Sequence, residues 1–193
     1  MTTNTPLRVG IILGSTRQGR FGEQPANWIL EKAKGTEGIE TELIDLRDHP
    51  LPFFDEAVPP SMWNGNYPSE IIKKWNETIK SFDAFIIVAP EYNHGYSAVL
   101  KNALDYAFEG WKKKPVAFVS YGGLGGARSV EQLRQVVINL EMAPILAAVQ
   151  IANYWSLLDD KGKIKTESFD DRAKPLLDEL IWWGKALKSA REA

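Results

Sequence analysis

The fold is decided by residues 7–17, LRVGIILGSTR, in which a mostly apolar run stops abruptly at small and polar residues. Such a run, from Leu7 to Leu13, is typical of a strand buried on both faces. From Phe21 to Lys34 apolar residues recur at helical spacing, and Gly35 ends that pattern. This part of the chain therefore predicts a strand, a polar turn and a helix.

The same alternation continues along the chain. Four further strands are predicted at 40–46, 84–89, 116–121 and 145–151, with helices at 71–79, 97–107, 127–142 and from about residue 170. The strand at 40–46 alternates apolar and charged residues, as a strand near a sheet edge would. Strands that alternate with helices predict an α/β protein whose parallel sheet is covered on both faces. We expect one domain over residues 1–193, with the five-stranded doubly wound order 2-1-3-4-5.

Composition narrows the classes of function. The chain has no cysteine, which excludes disulfides, thiolate metal sites and cysteine nucleophiles, and it indicates no oxidising compartment. The net charge of −2 favours neither nucleic acid nor an anionic membrane as a partner. Residues 1–6 do not resemble a signal peptide, so a cytoplasmic protein with a small-molecule partner is expected. With only His49 and His94, no paired-histidine metal motif can be written, and no metal site is predicted.

Residues 47–68 contain five prolines and four large aromatic residues, and this density of proline forbids a regular helix or a central strand. A long segment without regular structure inside a compact domain is usually functional or disordered. The aromatic residues argue against disorder. Two interpretations stay open, a packed lid beside a site and a surface crossover that its aromatic residues anchor.

The turn after the first strand, Gly14 to Gly22, combines hydroxyls, arginines and the free N–H groups of a helix start. These groups together suit a phosphate. The turn also resembles a Walker A loop, but Arg20 and Phe21 stand where that motif needs lysine and a hydroxyl residue, so triphosphate hydrolysis is not expected. The alternative is a plain turn with surface arginines.

The turns after the third and fourth strands complete the predicted site. In residues 90–97, Asn93 can donate to and accept from a heterocycle edge, while Tyr92 and Tyr96 offer flat contact area. His94 is expected to face solvent or cap a helix, not to act as an acid or base. In residues 122–126, four glycines let backbone N–H groups approach a ligand, although a tight turn alone would also use glycine.

Three motifs resemble the NADPH-dependent FMN reductase family, whose fold is flavodoxin-like, over about Leu7 to Leu187. They are GSTR at 14–17, PEYN at 90–93 followed by VLKNALD at 99–105, and the glycine loop after Ser120 and Tyr121. The resemblance implies an FMN-dependent enzyme that takes a hydride from NADPH (or NADH). It would pass electrons to a small-molecule acceptor such as a quinone, azo compound, nitroaromatic, metal ion or free flavin. The flavin would supply the chemistry, so no catalytic side chain is predicted.

The resemblance also implies the cofactor-binding residues. The FMN phosphate would be held by Ser15, Thr16 and Arg17, with Arg20, Phe21 and Gly22 close by. The ring edge and ribityl chain would meet Pro90, Glu91, Tyr92 and Asn93, and the other side of the ring would meet Ser120, Tyr121, Gly122 and Gly123. Many relatives have Ser-Phe-Asn where this chain has residues 20–22, RFG, and the extra arginine could reinforce phosphate binding or reach NADPH.

The family tends to form homodimers or homotetramers through the helix after residue 93. Such an assembly would explain the Trp182–Trp183 pair, as would core packing.

Two other functions stay open, a one-electron flavodoxin-type carrier and a flavin-free binding module. Such carriers are usually strongly acidic and lack arginine in the phosphate loop, unlike this chain. A solvated turn is expected at residues 112–114, KKK, in preference to a cofactor phosphate site.

Overall fold

The computed structural model describes residues 5–193, so most of the stretch considered for targeting, residues 1–4, lies outside the described residues. Its centre is one parallel sheet in the order β2-β1-β3-β4-β5, which confirms the predicted flavodoxin-like topology. The strands are β1 (Leu7–Leu13), β2 (Ile39–Asp45), β3 (Ala84–Pro90), β4 (Pro115–Gly122) and β5 (Ala143–Ala152). All five carboxyl ends therefore lie at one edge of the sheet.

Five α-helices cover the sheet: α1 (Glu23–Lys34), α2 (Glu70–Lys80), α3 (Ala98–Asp105), α4 (Ala127–Asn139) and α5 (Ala173–Glu192). Side chains of α1 and α5 pack in one apolar cluster, and those of α2, α3 and α4 pack in the cluster on the opposite face. Two predicted helices begin too early. Phe21 belongs to the turn before α1, and residues 170–172 form a short 3-10 turn before α5.

Burial separates the inner strands from the edge strand β2. Every residue of β3 and β4 is buried, and so is all of β1 except Arg8. β2 has one buried residue and alternates between exposed and half-buried positions, as its alternating sequence predicts. Within residues 5–193, no helix has the length and apolar character needed to cross a membrane.

The proline-rich segment 47–68 has no regular helix or strand beyond two short 3-10 turns, as predicted. Asn102 of α3 holds its backbone, accepting from the Phe54 N–H at 2.9 Å and donating to the Pro52 carbonyl at 2.6 Å. Trp63 is buried in the core. The ring of Phe53, in contrast, is 82% exposed beside a cavity that Ser15 and Arg17 also line. The segment is thus anchored along its length and borders the first turn.

Two sequence-based interpretations need correction, the first of them only at Lys114, because residues 112 and 113 lie in a turn and Lys113 is exposed. Lys114 does not lie in a solvated turn, because its amine is buried and donates to the carbonyls of Ile79 and Lys80 at 3.1 and 3.2 Å. It directly precedes the fully buried β4, and burial lowers its pKa to about 8. Core packing does not explain the tryptophan pair, since Trp182 and Trp183 are 64% and 37% exposed on α5.

Candidate functional site

The carboxyl ends of β1, β3, β4 and β5 surround a cavity of about 470 Å³, a size typical of small-molecule sites. All three predicted turns contribute to its wall. From the predicted site residues, the wall contains Arg17, Arg20, Phe21, Pro90, Glu91, Tyr92, Tyr121, Gly122 and Gly123. The structure thus brings together residues from positions 17 to 123 of the chain.

The other predicted site residues lie behind or beside this wall. Ser15 and Thr16 line the neighbouring cavity of about 440 Å³, on the side of Phe53. Gly22 is buried behind Tyr121, and a Cβ atom at Gly22 would lie 2.6 Å from the Tyr121 hydroxyl. Asn93 and Ser120 do not line the main cavity. Gly22, Asn93 and Ser120 can therefore shape the main cavity only through their neighbours.

Arg20 is buried under the first turn, where protein groups hold its guanidinium. It donates to the Ser15 carbonyl at 2.5 Å, to Asp45 at 2.7 Å and to Glu23 at 3.0 Å. The hydrogen bond to Asp45 raises the pKa of Arg20 further. Burial acts to raise the pKa of Asp45, but the hydrogen bonds from Arg20 and Arg47 outweigh it and leave that pKa below its ordinary value. The guanidinium of Arg20 is therefore a support of the turn.

A second arginine, Arg47, holds the next two carbonyl groups of the turn. It donates to the Thr16 carbonyl at 3.4 Å and to the Arg17 carbonyl at 2.5 Å. Within residues 5–193, the backbone N–H groups of residues 18–22 donate to no protein acceptor, and no side chain caps α1. The carbonyls of Ser15, Thr16 and Arg17 are thus bound to arginines, while the N–H groups of residues 18–22 stay available to a ligand.

The donors of the first turn fit a phosphate group. Thr16 and Arg17 are exposed, and the guanidinium of Arg17 lies 5.9 Å from the centre of the Tyr92 ring. The nearby carboxylates, Asp45 and Glu23, are both bound to arginine. A site that offers an arginine, a hydroxyl and helix N-terminal N–H groups has the chemistry of an anion site.

The second turn is a tight two-residue turn. Tyr92 and Gly95 exchange backbone hydrogen bonds of 2.8 and 3.0 Å, and the residues between them have positive φ angles, 50° at Asn93 and 74° at His94. Asparagine is common at such positions because it tolerates this backbone conformation. His94 is exposed beside Arg128 at 2.8 Å, as expected for a solvent-facing imidazole.

Two side chains of the second turn bind protein partners. The Tyr92 hydroxyl is 2.8 Å from the buried Ser15 hydroxyl, which ties the second turn to the first. The carboxylate of Glu91 is paired with Arg128 of α4, whose Nε donates at 2.7 Å. Glu91 thus contributes its backbone and stem to the cavity wall, while its charge is neutralised.

The glycine loop owes its shape to its lack of side chains. Gly125 and Gly126 have φ angles of 69° and 76°, and a Cβ atom at Gly126 would lie 2.7 Å from the Ser120 Cβ atom. The buried Ser120 hydroxyl donates to the Gly125 carbonyl at 2.6 Å, so Ser120 supports the loop from below. Gly122 and Gly123 form the part of the loop that faces the cavity.

Sequence reasoning missed a fourth wall, the segment that follows β5. Its cavity-lining residues are Tyr154, Trp155, Leu158 and Gly162. Tyr154 stacks on Phe21 with ring centres 4.0 Å apart, and it meets Tyr121 edge to face at 5.7 Å. The sequence signal that could have revealed this wall is the aromatic pair Tyr154–Trp155, which follows shortly after the end of β5 at the edge where the other turns meet. Burial raises the pKa of Tyr121, so its hydroxyl stays protonated at neutral pH.

Acidic and imidazole groups do not gather around the cavity. Among residues 5–193 there is no group of three or more histidine, cysteine, aspartate or glutamate side chains placed to hold a metal ion.

Comparison with known proteins gives a consistent result. The family model described as NADPH-dependent FMN reductase matches residues 7–156. An NAD(P)H-dependent FMN reductase of Schizosaccharomyces pombe is 38% identical over 146 residues, 75% of this chain and 73% of its own length. The NADPH:quinone oxidoreductase of Arabidopsis thaliana is 35% identical over 179 residues, 89% of this chain and 88% of its own. FerB of Paracoccus denitrificans, a flavoenzyme NAD(P)H:(acceptor) oxidoreductase, shares the fold, with a TM-score of 0.73 over 93% of this chain and 98% of its own at 21% identity.

Proposed function

This chain belongs to the NADPH-dependent FMN reductase family, and from that premise we propose that the cavity at the carboxyl ends of its strands holds FMN. The protein is an NAD(P)H-dependent oxidoreductase that uses FMN and delivers electrons to a small-molecule acceptor. One observation carries the assignment of the site. A turn rich in free N–H donors, a bare glycine loop and the ring of Tyr92 converge on a single cavity.

The proposed contacts divide the cavity into two ends. Thr16, Arg17 and the N–H groups of residues 18–22 take the phosphate, while Ser15 acts through Tyr92. At the other end, Pro90, Tyr92, Tyr121, Gly122 and Gly123 surround the ring. Arg20 and Ser120 are positioning residues, because each binds a backbone carbonyl of a cavity turn.

Bound FMN supplies two-electron chemistry, so the net reaction of NAD(P)H, a proton and a quinone gives NAD(P)⁺ and a hydroquinone. The protein binds and orients the reactants. Within residues 5–193, the backbone N–H of Gly123 has no protein acceptor, and such donors on the glycine loop can stabilise negative charge on the ring. Tyr121 contributes a neutral hydroxyl. No side chain is needed as an acid or base for hydride delivery.

We also propose a homodimer or homotetramer formed through α3 and the adjoining part of segment 47–68. Phe53 is the main support, because its ring is 82% exposed while Asn102 and the Tyr106 hydroxyl hold the surrounding backbone. Light scattering of the purified protein tests this assembly. Phe53→Ser should shift it towards the monomer, whereas Met62→Ser, on the same segment and 63% exposed, should not. We also propose a cytoplasmic location, from the absence of cysteine. Localisation of the tagged chain in cells tests it.

Turnover by the purified, FMN-loaded chain tests the function. We expect a yellow protein that oxidises NADPH or NADH continuously when a quinone is present, with ping-pong kinetics. Assays with NADPH and NADH, and with a panel of quinone, azo, nitroaromatic, metal and free flavin acceptors, identify which electron donor and which acceptor the protein prefers. A protein that binds FMN but oxidises neither nicotinamide would instead be an electron carrier, and one that binds no FMN would contradict the site itself.

A further inference from the structure

We propose that Trp155 is the stacking surface for a planar, conjugated electron acceptor, such as a quinone, at the mouth of the main cavity. The inference rests on the proposed function, because it takes the cavity to be the FMN site. It concerns the wall that follows β5, near the end of the region that the family model matches, at residue 156.

The backbone of this wall is fixed to the glycine loop. The N–H of Asn153 donates to the Gly122 carbonyl at 3.0 Å, and Asn153 has a φ angle of 47°. The backbone N–H and the hydroxyl of Ser156 both donate to the Asn153 carbonyl at 2.8 Å. Residues 153–156 therefore form a closed turn directly against the loop that is proposed to face the flavin ring.

Two neighbouring aromatic rings in this turn have different environments. Tyr154 is wedged between Phe21 and Tyr121, which fixes its position. Trp155 lies next to it, with ring centres 5.3 Å apart, but its side chain is 56% exposed. A Cβ atom at Gly123 would lie 3.6 Å from the Cη2 atom of Trp155, so the indole rests on the bare backbone of Gly123. One ring thus anchors the turn, and the other is held at the entrance.

An exposed indole at this position favours a ligand with a flat apolar face. NADPH carries phosphates and an adenine that other parts of the protein can bind, whereas a simple quinone has little besides its ring. A single stacking contact is therefore a larger share of the quinone's binding free energy. From the usual strength of aromatic pairs, we expect its loss to weaken quinone binding about three- to tenfold.

The test compares the FMN-loaded wild type with Trp155→Ala, Trp155→Phe and the control Trp182→Ala. Trp182 is 64% exposed on α5 and does not line the cavity. Calorimetric titration with 1,4-naphthoquinone, without NADPH, gives the dissociation constant directly. Steady-state assays compare KM for naphthoquinone with KM for hexacyanoferrate(III), an octahedral anion with no flat face.

We expect Trp155→Ala to raise the naphthoquinone dissociation constant and KM about three- to tenfold, with FMN affinity and the hexacyanoferrate KM unchanged. Trp155→Phe should recover most of the loss, and Trp182→Ala should match the wild type. Unchanged naphthoquinone binding in Trp155→Ala would overturn the proposal, as would an equal loss of FMN affinity, which would make Trp155 a cofactor contact. If the wild type bound no FMN or oxidised no NADPH, the proposed function would fail independently of these variants.

Discussion

The first turn and the glycine loop meet in the same cavity, yet they are built in opposite ways. Charged side chains hold the first turn from outside, because Arg20 and Arg47 bind the carbonyls of Ser15, Thr16 and Arg17. The glycine loop is held by one neutral hydroxyl, that of Ser120, and by backbone conformations that only glycine adopts easily. Both arrangements leave backbone N–H groups free at the cavity.

Because of this difference, we expect the two regions to be sensitive to different kinds of mutation. The first turn depends on ion pairs, so removing one charge leaves the charge of its partner poorly compensated. The glycine loop depends on empty space, so adding one methyl group disturbs it. In both regions, the residues that maintain the shape differ from those that are proposed to contact the ligand.

The largest expected effect is that of Arg20→Ala on stability. The side chain of Arg20 is 3% exposed, and its loss leaves Asp45 and the Ser15 carbonyl without their main donor. Breaking a buried pair typically costs about 3–5 kcal/mol of the free energy of unfolding. Because Asp45 is 22% exposed and keeps the N–H of Arg47, we expect a loss at the lower end of that range. Urea unfolding of the FMN-free chain measures this cost, with Arg17→Ala as the control. An Arg20→Ala variant with wild-type stability but weak FMN binding would restore the interpretation of Arg20 as a ligand contact.

Gly126→Ala should destabilise the protein by about 2–4 kcal/mol, the sum of a left-handed alanine and an overpacked contact. The added Cβ atom would lie 2.7 Å from the Ser120 Cβ atom and 3.0 Å from the Tyr121 nitrogen. Gly19→Ala in the first turn is the matched control. Gly19 has a similar φ angle, 62°, but nothing within 4 Å of its Cβ position. Equal losses in the two variants would show that backbone conformation alone, and not close packing, requires glycine at 126.

Arg17→Ala should weaken FMN binding by about 1.5–3 kcal/mol, tenfold or more, through loss of a charge-assisted contact to the phosphate. The stability of the FMN-free chain should not change, because the guanidinium of Arg17 is exposed and holds no other part of the turn. Quenching of flavin fluorescence on titration gives the dissociation constant. Gln18→Ala, an exposed neighbour in the same turn, should bind FMN like the wild type. Wild-type affinity in Arg17→Ala would contradict the phosphate assignment.

The fold could be predicted from the sequence because periodicity reports burial directly. Strands such as β3 are uninterrupted apolar runs, and the alternation of β2 marks an edge strand. The candidate site followed from topology, since the carboxyl ends of neighbouring parallel strands share one edge. Strand ends differ by one or two residues, because hydrogen bonds continue past the apolar positions.

The role of Arg20 could not be predicted, because it depends on a contact between residues 25 positions apart. Asp45 reaches Arg20 only because β1 pairs with β2 in a register that places Leu13 beside Asp45. Read alone, Asp45 is an ordinary charged residue at the end of an edge strand. The burial of Lys114 was missed for the same reason, since its acceptors belong to the end of α2.

The smallest expected effect is on the pH dependence of the unfolding free energy. It distinguishes the Asp45–Arg20 ion pair, which supports the first turn, from the Ser120 hydroxyl, which supports the glycine loop. Because the hydrogen bonds from Arg20 and Arg47 outweigh burial, the pKa of Asp45 in the folded protein lies below its ordinary value of 3.8. Its contribution to stability is therefore complete well above pH 3.8 and is lost as the pH falls through the lower folded value. Ser120 does not titrate.

Urea unfolding between pH 6 and pH 3 of the wild type, Asp45→Asn and Ser120→Ala measures this contrast. The difference in unfolding free energy between wild type and Asp45→Asn should shrink as the pH falls, because the wild-type carboxylate becomes neutral as well. The difference for Ser120→Ala, about 1 kcal/mol for one hydrogen bond, should stay constant over that range. Other carboxylates titrate equally in all three proteins and cancel. A constant difference for Asp45→Asn would mean that the ion pair with Arg20 does not hold the first turn, and the contrast between the two regions would then be one of shape alone.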